Sequence, residues 1–148
     1  MIYKLLLIDI GGTNMRHAIA SSDSNEITNI CKTTFTDMDE FEEKLKDLID
    51  NHGIDILITS VAGPKVNNSI SMTNRNYVFD RDEISHKFNL KDCYLLNDWE
   101  AIAYSHDFIK DSIESIKIDF GKLLFVRIKH DHERIANTGC TLRIAAHG

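Results

Sequence analysis

The sequence predicts a mixed α/β domain, and three observations carry that prediction. Residues 3–9, 14–21 and 26–34 are strand-like stretches separated by brief breaks, and short connections favour antiparallel neighbours. Residues 37–52 then place Phe41, Leu45, Leu48 and Ile49 at helical spacing on one face. Directly after comes a continuous apolar run, 54–61, the pattern of a buried strand in a sheet that a helix covers.

The elements follow in order. Polar residues over 21–25 form a turn cluster, and Ile27, Ile30 and several Thr give the third stretch strand composition. Asp37 with Glu40 has capping-box spacing, and Gly53 supplies a stop for the helix. Asp39, Glu40, Glu42 and Glu43 crowd its first turns, where the helix dipole favours them, so they read as a solvated face and not as a metal site. Ala62-Gly63-Pro64 ends the next strand with the only proline of the chain. Residues 66–72 add a short strand or hairpin. Asp80 caps a short helix over 80–88 with Ile84 and Phe88 inward. Residues 92–96 form another strand, and 99–108 a helix with Trp99, Ile102, Ala103 and Tyr104 inward. Residues 123–128 are strand-like.

Composition excludes several classes of function. The chain has 148 residues, 43% of them hydrophobic and 27% charged, enough for a domain with a core of its own. Its net charge of -6 argues against general nucleic-acid binding. No apolar run approaches the length needed to span a bilayer, and the N-terminus has no signal-peptide pattern, so a cytoplasmic protein is expected. Cys31, Cys93 and Cys140 are odd in number and widely spaced, which supports neither a disulfide framework nor a zinc ribbon. Charge is uneven: residues 122–148 carry +3 and residues 1–121 carry -9. The tail therefore reads as a different kind of sequence. Its His130 and His132 read as exposed histidines, since no further metal ligands are apparent.

Chemistry concentrates at two places. Between the first two strands stands Asp9-Ile10-Gly11-Gly12-Thr13-Asn14-Met15-Arg16. Glycine lets a ligand approach the backbone, and successive N–H groups at such a turn form an anion-binding nest. An ordinary hairpin would account for the glycine pair alone. Asp9 as a Mg²⁺ ligand, with Thr13 and Asn14 as donors and Arg16 as a cation, favours a metal–polyphosphate site. The second place is Asn97-Asp98, where a strand ends and a helix begins. Ligands bind at such strand ends in open α/β sheets, but a helix cap would explain either residue equally well. P-loop, dinucleotide and nucleophile-elbow motifs are absent.

Four segments together resemble the bacterial glucokinase family. Leu7-Ile8-Asp9-Ile10-Gly11-Gly12-Thr13-Asn14, with Arg16, is similar to its first phosphate motif. Ser60-Val61-Ala62-Gly63-Pro64 resembles the next strand and turn. Ser71-Met72-Thr73-Asn74, followed by Tyr77-Val78-Phe79, resembles its Met-Thr-Asn segment, and Leu96-Asn97-Asp98-Trp99-Glu100-Ala101 its sugar site. The resemblance implies an actin-like ATPase (ribonuclease H-like) domain, built as a five-stranded mixed sheet with helices. It also implies transfer of the γ-phosphoryl of ATP to the 6-hydroxyl of glucose, the first step of glycolysis, with Mg²⁺ at the nucleotide phosphates. Asp98 would be the catalytic base and Asn97 a sugar ligand, with Asn74 near the sugar. Gly11, Gly12, Thr13 and Asn14 would face the phosphates, and Asp9 the metal.

The match is incomplete. A whole member of that family is about twice as long, and the rest of its sugar site comes from a larger second domain. Its second phosphate motif is replaced here by Gly139-Cys140-Thr141-Leu142-Arg143-Ile144-Ala145, in which two glycines are missing. The expected organisation is an N-terminal glucokinase domain over 1–121 and a degenerate, truncated start of the C-terminal region over 122–148. Such a chain would be weakly active or inactive, with self-association through its exposed cleft face. The alternatives are a non-catalytic binding module of the same fold and another sugar kinase of the actin-like superfamily.

Overall fold

The structure is a computed structural model that describes residues 1–12, 14–24, 26–109, 113–117, 123–128 and 141–145. It forms two units, 1–102 and 103–148. The boundary expected at 121/122, together with His130, His132 and Gly139-Cys140, lies outside the described residues.

The first unit runs β1 (Lys4–Gly11), β2 (Asn14–Ser21), β3 (Ile27–Thr34), α1 (Met38–His52), β4 (Ile56–Val61), β5 (Lys65–Val66), β6 (Ser69–Ser71), β7 (Val78–Asp80), α2 (Arg81–Lys87) and β8 (Asp92–Asn97), and α3 (Asp98–Ile109) begins in it. The expected five-stranded mixed sheet is present, in the order β3-β2-β1-β4-β8. β1–β2 and β2–β3 pair antiparallel, and β1–β4 and β4–β8 pair parallel. Alternation along the strands sends Leu6, Ile8, Ile10, Leu57, Val61, Cys93 and Leu95 to one face, where they share a buried cluster with Phe41, Leu45 and Ile49 of α1. Burial pushes the Cys93 thiol up to about 12, so this cysteine is a packing residue.

Helix α1 begins and ends where its sequence signals stand. The Glu40 N–H donates to Asp37 Oδ1 at 2.9 Å, and Glu40 Oε2 accepts from the Thr36 N–H at 2.7 Å. The reciprocal bond of the capping box thus falls one residue before the cap. Gly53 closes the helix in the left-handed region at φ 60°, which glycine adopts without penalty.

A second small sheet, β5-β6-β7, grows from the turn after β4. Asn67 takes φ 54° in its two-residue hairpin loop. Arg75 and Tyr77 pin the following loop: the Tyr77 hydroxyl donates to the Thr36 carbonyl at 2.8 Å, and the Arg75 guanidinium lies over the Phe35 ring. Asp80 caps α2 by accepting from the Asp82 and Glu83 N–H groups, with Ile84 and Phe88 packed against the core.

The expected inward placement of Trp99, Ala103 and Tyr104 is corrected. Trp99 is 40% exposed, Tyr104 75%, and Ala103 is also exposed. Ala101 is the residue that faces the sheet, lining a cavity with Leu96 and Ile58. At about 100° per residue Trp99 falls on the opposite side of the helix.

The second unit holds an antiparallel sheet, β11-β10-β9, made of β9 (Ile113–Lys117), β10 (Leu123–Ile128) and β11 (Thr141–Ala145). β10 is the strand-like stretch of the sequence; its two partners are short and interrupted by polar residues. Among the described residues no helix is long and apolar enough to cross a membrane.

Two outcomes are expected for this fold. A Cβ on Gly63 would sit 2.0 Å from the Ser71 carbonyl oxygen, so Gly63→Ala should lower unfolding stability by about 2–3 kcal/mol in urea titrations. His17, whose Nδ1 is buried without a partner among the described residues, has its pKa lowered from 6.5 by burial and then by His52. Below pH 6.5 the unfolded chain takes up a proton that the folded one resists. The stability present above that pH is therefore lost as pH falls. Urea unfolding at about pH 7.5 and about pH 5.5 should show the loss, and His17→Gln should reduce it.

Candidate functional site

Parallel pairing decides where the site lies. Asp9 stands beside Ser60, and Ser60 beside Leu96; one step on, Ile10 stands beside Val61, and Val61 beside Asn97. The carboxyl ends of β1, β4 and β8 therefore meet at one sheet edge. Two strand spacings, about 10 Å, separate the Asp9 strand from the Asn97 strand. The loop holding Asn74 is tied to the same edge, because the Thr73 N–H donates to the Ala62 carbonyl at 3.3 Å and the Ala62 N–H to the Ile10 carbonyl at 3.2 Å. The exposed Asn74 has no side-chain bond of its own among the described residues.

The β1–β2 turn is open. Gly11 pairs with Asn14 across it, and Gly12 takes φ 55°. Among the described residues, a Cβ built on either glycine meets no atom within 4 Å. Thr13 lies outside the described residues.

Asp9 and Arg16 face each other across β1–β2, and Arg16 Nη1 lies 3.2 Å from Asp9 Oδ2. The cation expected to serve the glycine turn is instead paired with the carboxylate expected to serve a metal. Both side chains are about half exposed. With Ser60 they form the polar end of a cavity of about 450 Å³ whose other end is apolar, lined by Leu7, Ala18 and Ile58. Among the described residues no group of three or more His, Cys, Asp or Glu gathers as a metal cage. Asp9 is the carboxylate at this edge that could share a cation with bound phosphates.

At the start of α3 the two roles that sequence left open are divided between neighbours. Asn97 is the cap: its Oδ1 accepts from the Glu100 N–H at 2.7 Å, and Glu100 Oε2 accepts from the Asn97 N–H at 2.9 Å. The Asn97 carbonyl oxygen is thereby occupied, while its Nδ2 donors make no hydrogen bond among the described residues. Among the described residues Asp98 accepts only the N–H of Trp99, at 3.2 Å, which leaves most of its lone pairs without a partner there. Glu100 also takes both its oxygens to Lys65 Nζ, at 3.1 and 3.2 Å. Its carboxyl is held below the ordinary range, first by the Asn97 N–H and then by Lys65. Sequence reasoning assigned Glu100 and Lys65 no role. The Asn97-x-x-Glu100 spacing is a capping-box signal that points to the first, whereas no local pattern points to Lys65.

A family model described as Glucokinase matches residues 6–122. The glucokinase of Colwellia psychrerythraea is 31% identical over 124 residues, covering 79% of this chain and 36% of that protein. The glucokinase of Campylobacter jejuni subsp. doylei is 32% identical over 106 residues, covering 70% and 32%. The chain thus spans about a third of the length of these curated relatives. A crystal structure of glucokinase from an Antarctic psychrotroph matches with a TM-score of 0.64 at 16% identity, covering 98% of this chain and 50% of that one. The ROK hexokinase of Thermus thermophilus gives 0.54 at 15% identity, covering 85% and 45%. These structures share the actin-like ATPase fold with this chain.

The division of labour at α3 has a measurable consequence. Asn97→Ala removes the cap and should cost about 1 kcal/mol of unfolding stability. Asp98→Asn should change it by less than about 0.5 kcal/mol, because the carboxylate supports little of the fold. Urea titrations of the two variants beside the parent check both values.

Proposed function

The chain belongs to the glucokinase family, and from that premise we propose that it carries the nucleotide-facing and sugar-facing edge of a glucokinase. The reaction is transfer of the γ-phosphoryl of ATP to the 6-hydroxyl of glucose, in the cytoplasm. The observation that carries this reading is the unspent Asp98 carboxylate, beside the capped Asn97, on the sheet edge that also holds the open glycine turn. A glucokinase of the same fold, from Balamuthia mandrillaris, is known in complex with glucose; it matches with a TM-score of 0.59 at 16% identity, covering 99% of this chain and 48% of that one.

On this reading the sugar 6-hydroxyl donates its proton to Asp98 as its oxygen attacks the γ-phosphorus, and the bond to the leaving ADP oxygen breaks. A weak base suffices, since phosphoryl transfer depends mostly on positioning and charge stabilisation. Asn97 donates from Nδ2 to a sugar hydroxyl, and Asn74 borders the sugar. The backbone of Gly11 and Gly12, with Thr13 and Asn14, faces the phosphates. Asp9 would hold the Mg²⁺ that accompanies ATP, and that ion would supply charge neutralisation at the phosphates.

The 148 residues alone are proposed to turn over weakly or not at all. They span about a third of the curated relatives, and positioning and exclusion of water from a complete cleft contribute about 7–11 kcal/mol to such catalysis. Self-association through the open cleft face is part of the same proposal.

The test is glucose-dependent ADP formation with MgATP by the purified chain and by Asp98→Asn. Weak turnover that Asp98→Asn reduces at least about a hundredfold supports the assignment of the base. Turnover unchanged in Asp98→Asn removes it. If the parent shows no turnover, glucose binding that Asp98→Asn weakens supports the sugar edge, and an absence of glucose binding by a folded chain overturns it.

A further inference from the structure

We infer that Lys65 and Glu100 form a positioning pair that fixes the Asn97 amide and the Asp98 turn relative to the loop after β4. The inference rests on the sugar-kinase reading for what is positioned, but not for the contacts themselves. Lys65 opens β5 immediately after Gly63-Pro64, and its Nζ donates to both Glu100 oxygens at 3.1 and 3.2 Å. The same carboxylate accepts the Asn97 N–H at 2.9 Å, while the Glu100 N–H donates to Asn97 Oδ1 at 2.7 Å.

A continuous set of bonds therefore crosses the sheet edge. It runs from Ile10 to Ala62, from Ala62 to Thr73, and, through the 62–65 turn, from Lys65 to Glu100 and Asn97. Every segment that carries a candidate ligand-facing residue is joined by it. Gly63 is part of the device, since only glycine lets the turn lie against the Ser71 backbone.

The chemical consequence concerns the Asn97 amide. With Oδ1 turned to the cap, the side chain is held in one orientation that points its Nδ2 donors away from the Glu100 N–H, next to the acceptor-only Asp98. If Glu100 is no longer held, the reciprocal cap loosens and the amide is free to rotate, presenting either end. Stability is not the point of the pair: Lys65 and Glu100 are 28% and 38% exposed, and ion pairs of that kind contribute little to unfolding free energy. A capping box alone would need Glu100 but not Lys65, so Lys65 separates the two accounts.

The test uses the whole chain, with Lys65→Met and Lys65→Arg. Trp99, the single tryptophan and 40% exposed beside Asp98, serves as an emission probe for added D-glucose. Amide hydrogen exchange reports on the cap without any ligand. Lys65→Met is expected to speed exchange at the Asn97 and Glu100 amides by roughly three- to fivefold, the span of a partly exposed ion pair, and to weaken glucose binding by a similar factor. The Leu45 amide and the thermal midpoint should stay unchanged, and Lys65→Arg should restore both effects.

Unchanged exchange at Asn97 and Glu100 in Lys65→Met overturns the positioning pair, even if glucose binds. A parent chain without a glucose response, in which Lys65→Met still speeds exchange at those amides, supports the pair and overturns the sugar reading instead.

Discussion

Parallel strands in one sheet must end at the same edge, and that constraint governs the first unit. β1, β4 and β8 are far apart in sequence, yet their register leaves no freedom about where Gly11, Ala62 and Asn97 emerge. A one-residue slip of β8 would send Leu95 from the core to the open face and move Asn97 off the edge. The buried side chains that hold the register, Leu57 and Cys93 among them, therefore also hold the site.

The two faces of the sheet serve different ends. Against α1 the strands bury Leu6, Ile10, Leu57 and Leu95, and this face supplies the apolar burial that orders the unit. The other face carries Asp9, Arg16 and Ser60 beside an apolar cavity. Charges there are tolerated because they are half exposed and paired, with Asp9 and Arg16 directly opposite across β1–β2. The pair uses only the Oδ2 of Asp9, so Oδ1 keeps its acceptor sites.

Much of this was legible in the sequence wherever the signal is local. Asp37, Gly53 and the apolar spacing between them define α1 within a residue, because caps and helical periodicity are written in neighbouring positions. The strand-end location of Asn97-Asp98 was equally readable from an apolar run followed by a helix. Trp99 was not: a short helix with many apolar or small residues has no single obvious face, and only packing of Ala101 over the sheet selects one. Lys65 was invisible for another reason. Its partner lies 35 positions away, and nothing in a lysine after a Gly-Pro turn names Glu100.

Asn97 and Asp98 show how a cap and the proposed sugar site share this edge. The first turn of any helix has unsatisfied N–H groups, and one side chain must give up its acceptor to them. Asn97 does so with its oxygen and keeps its donors. Asp98, one position later, is inside the helix and relieved of that duty, so its carboxylate keeps its acceptors while sitting where the helix dipole favours negative charge. A donor and an acceptor thus stand side by side on rigid backbone, the arrangement that a hydroxyl can use in both directions at once. The order of the two residues matters. With Asp in front, one of its oxygens would be taken up by the cap, as Asp80 Oδ1 is at α2, and no amide donor would stand at that position.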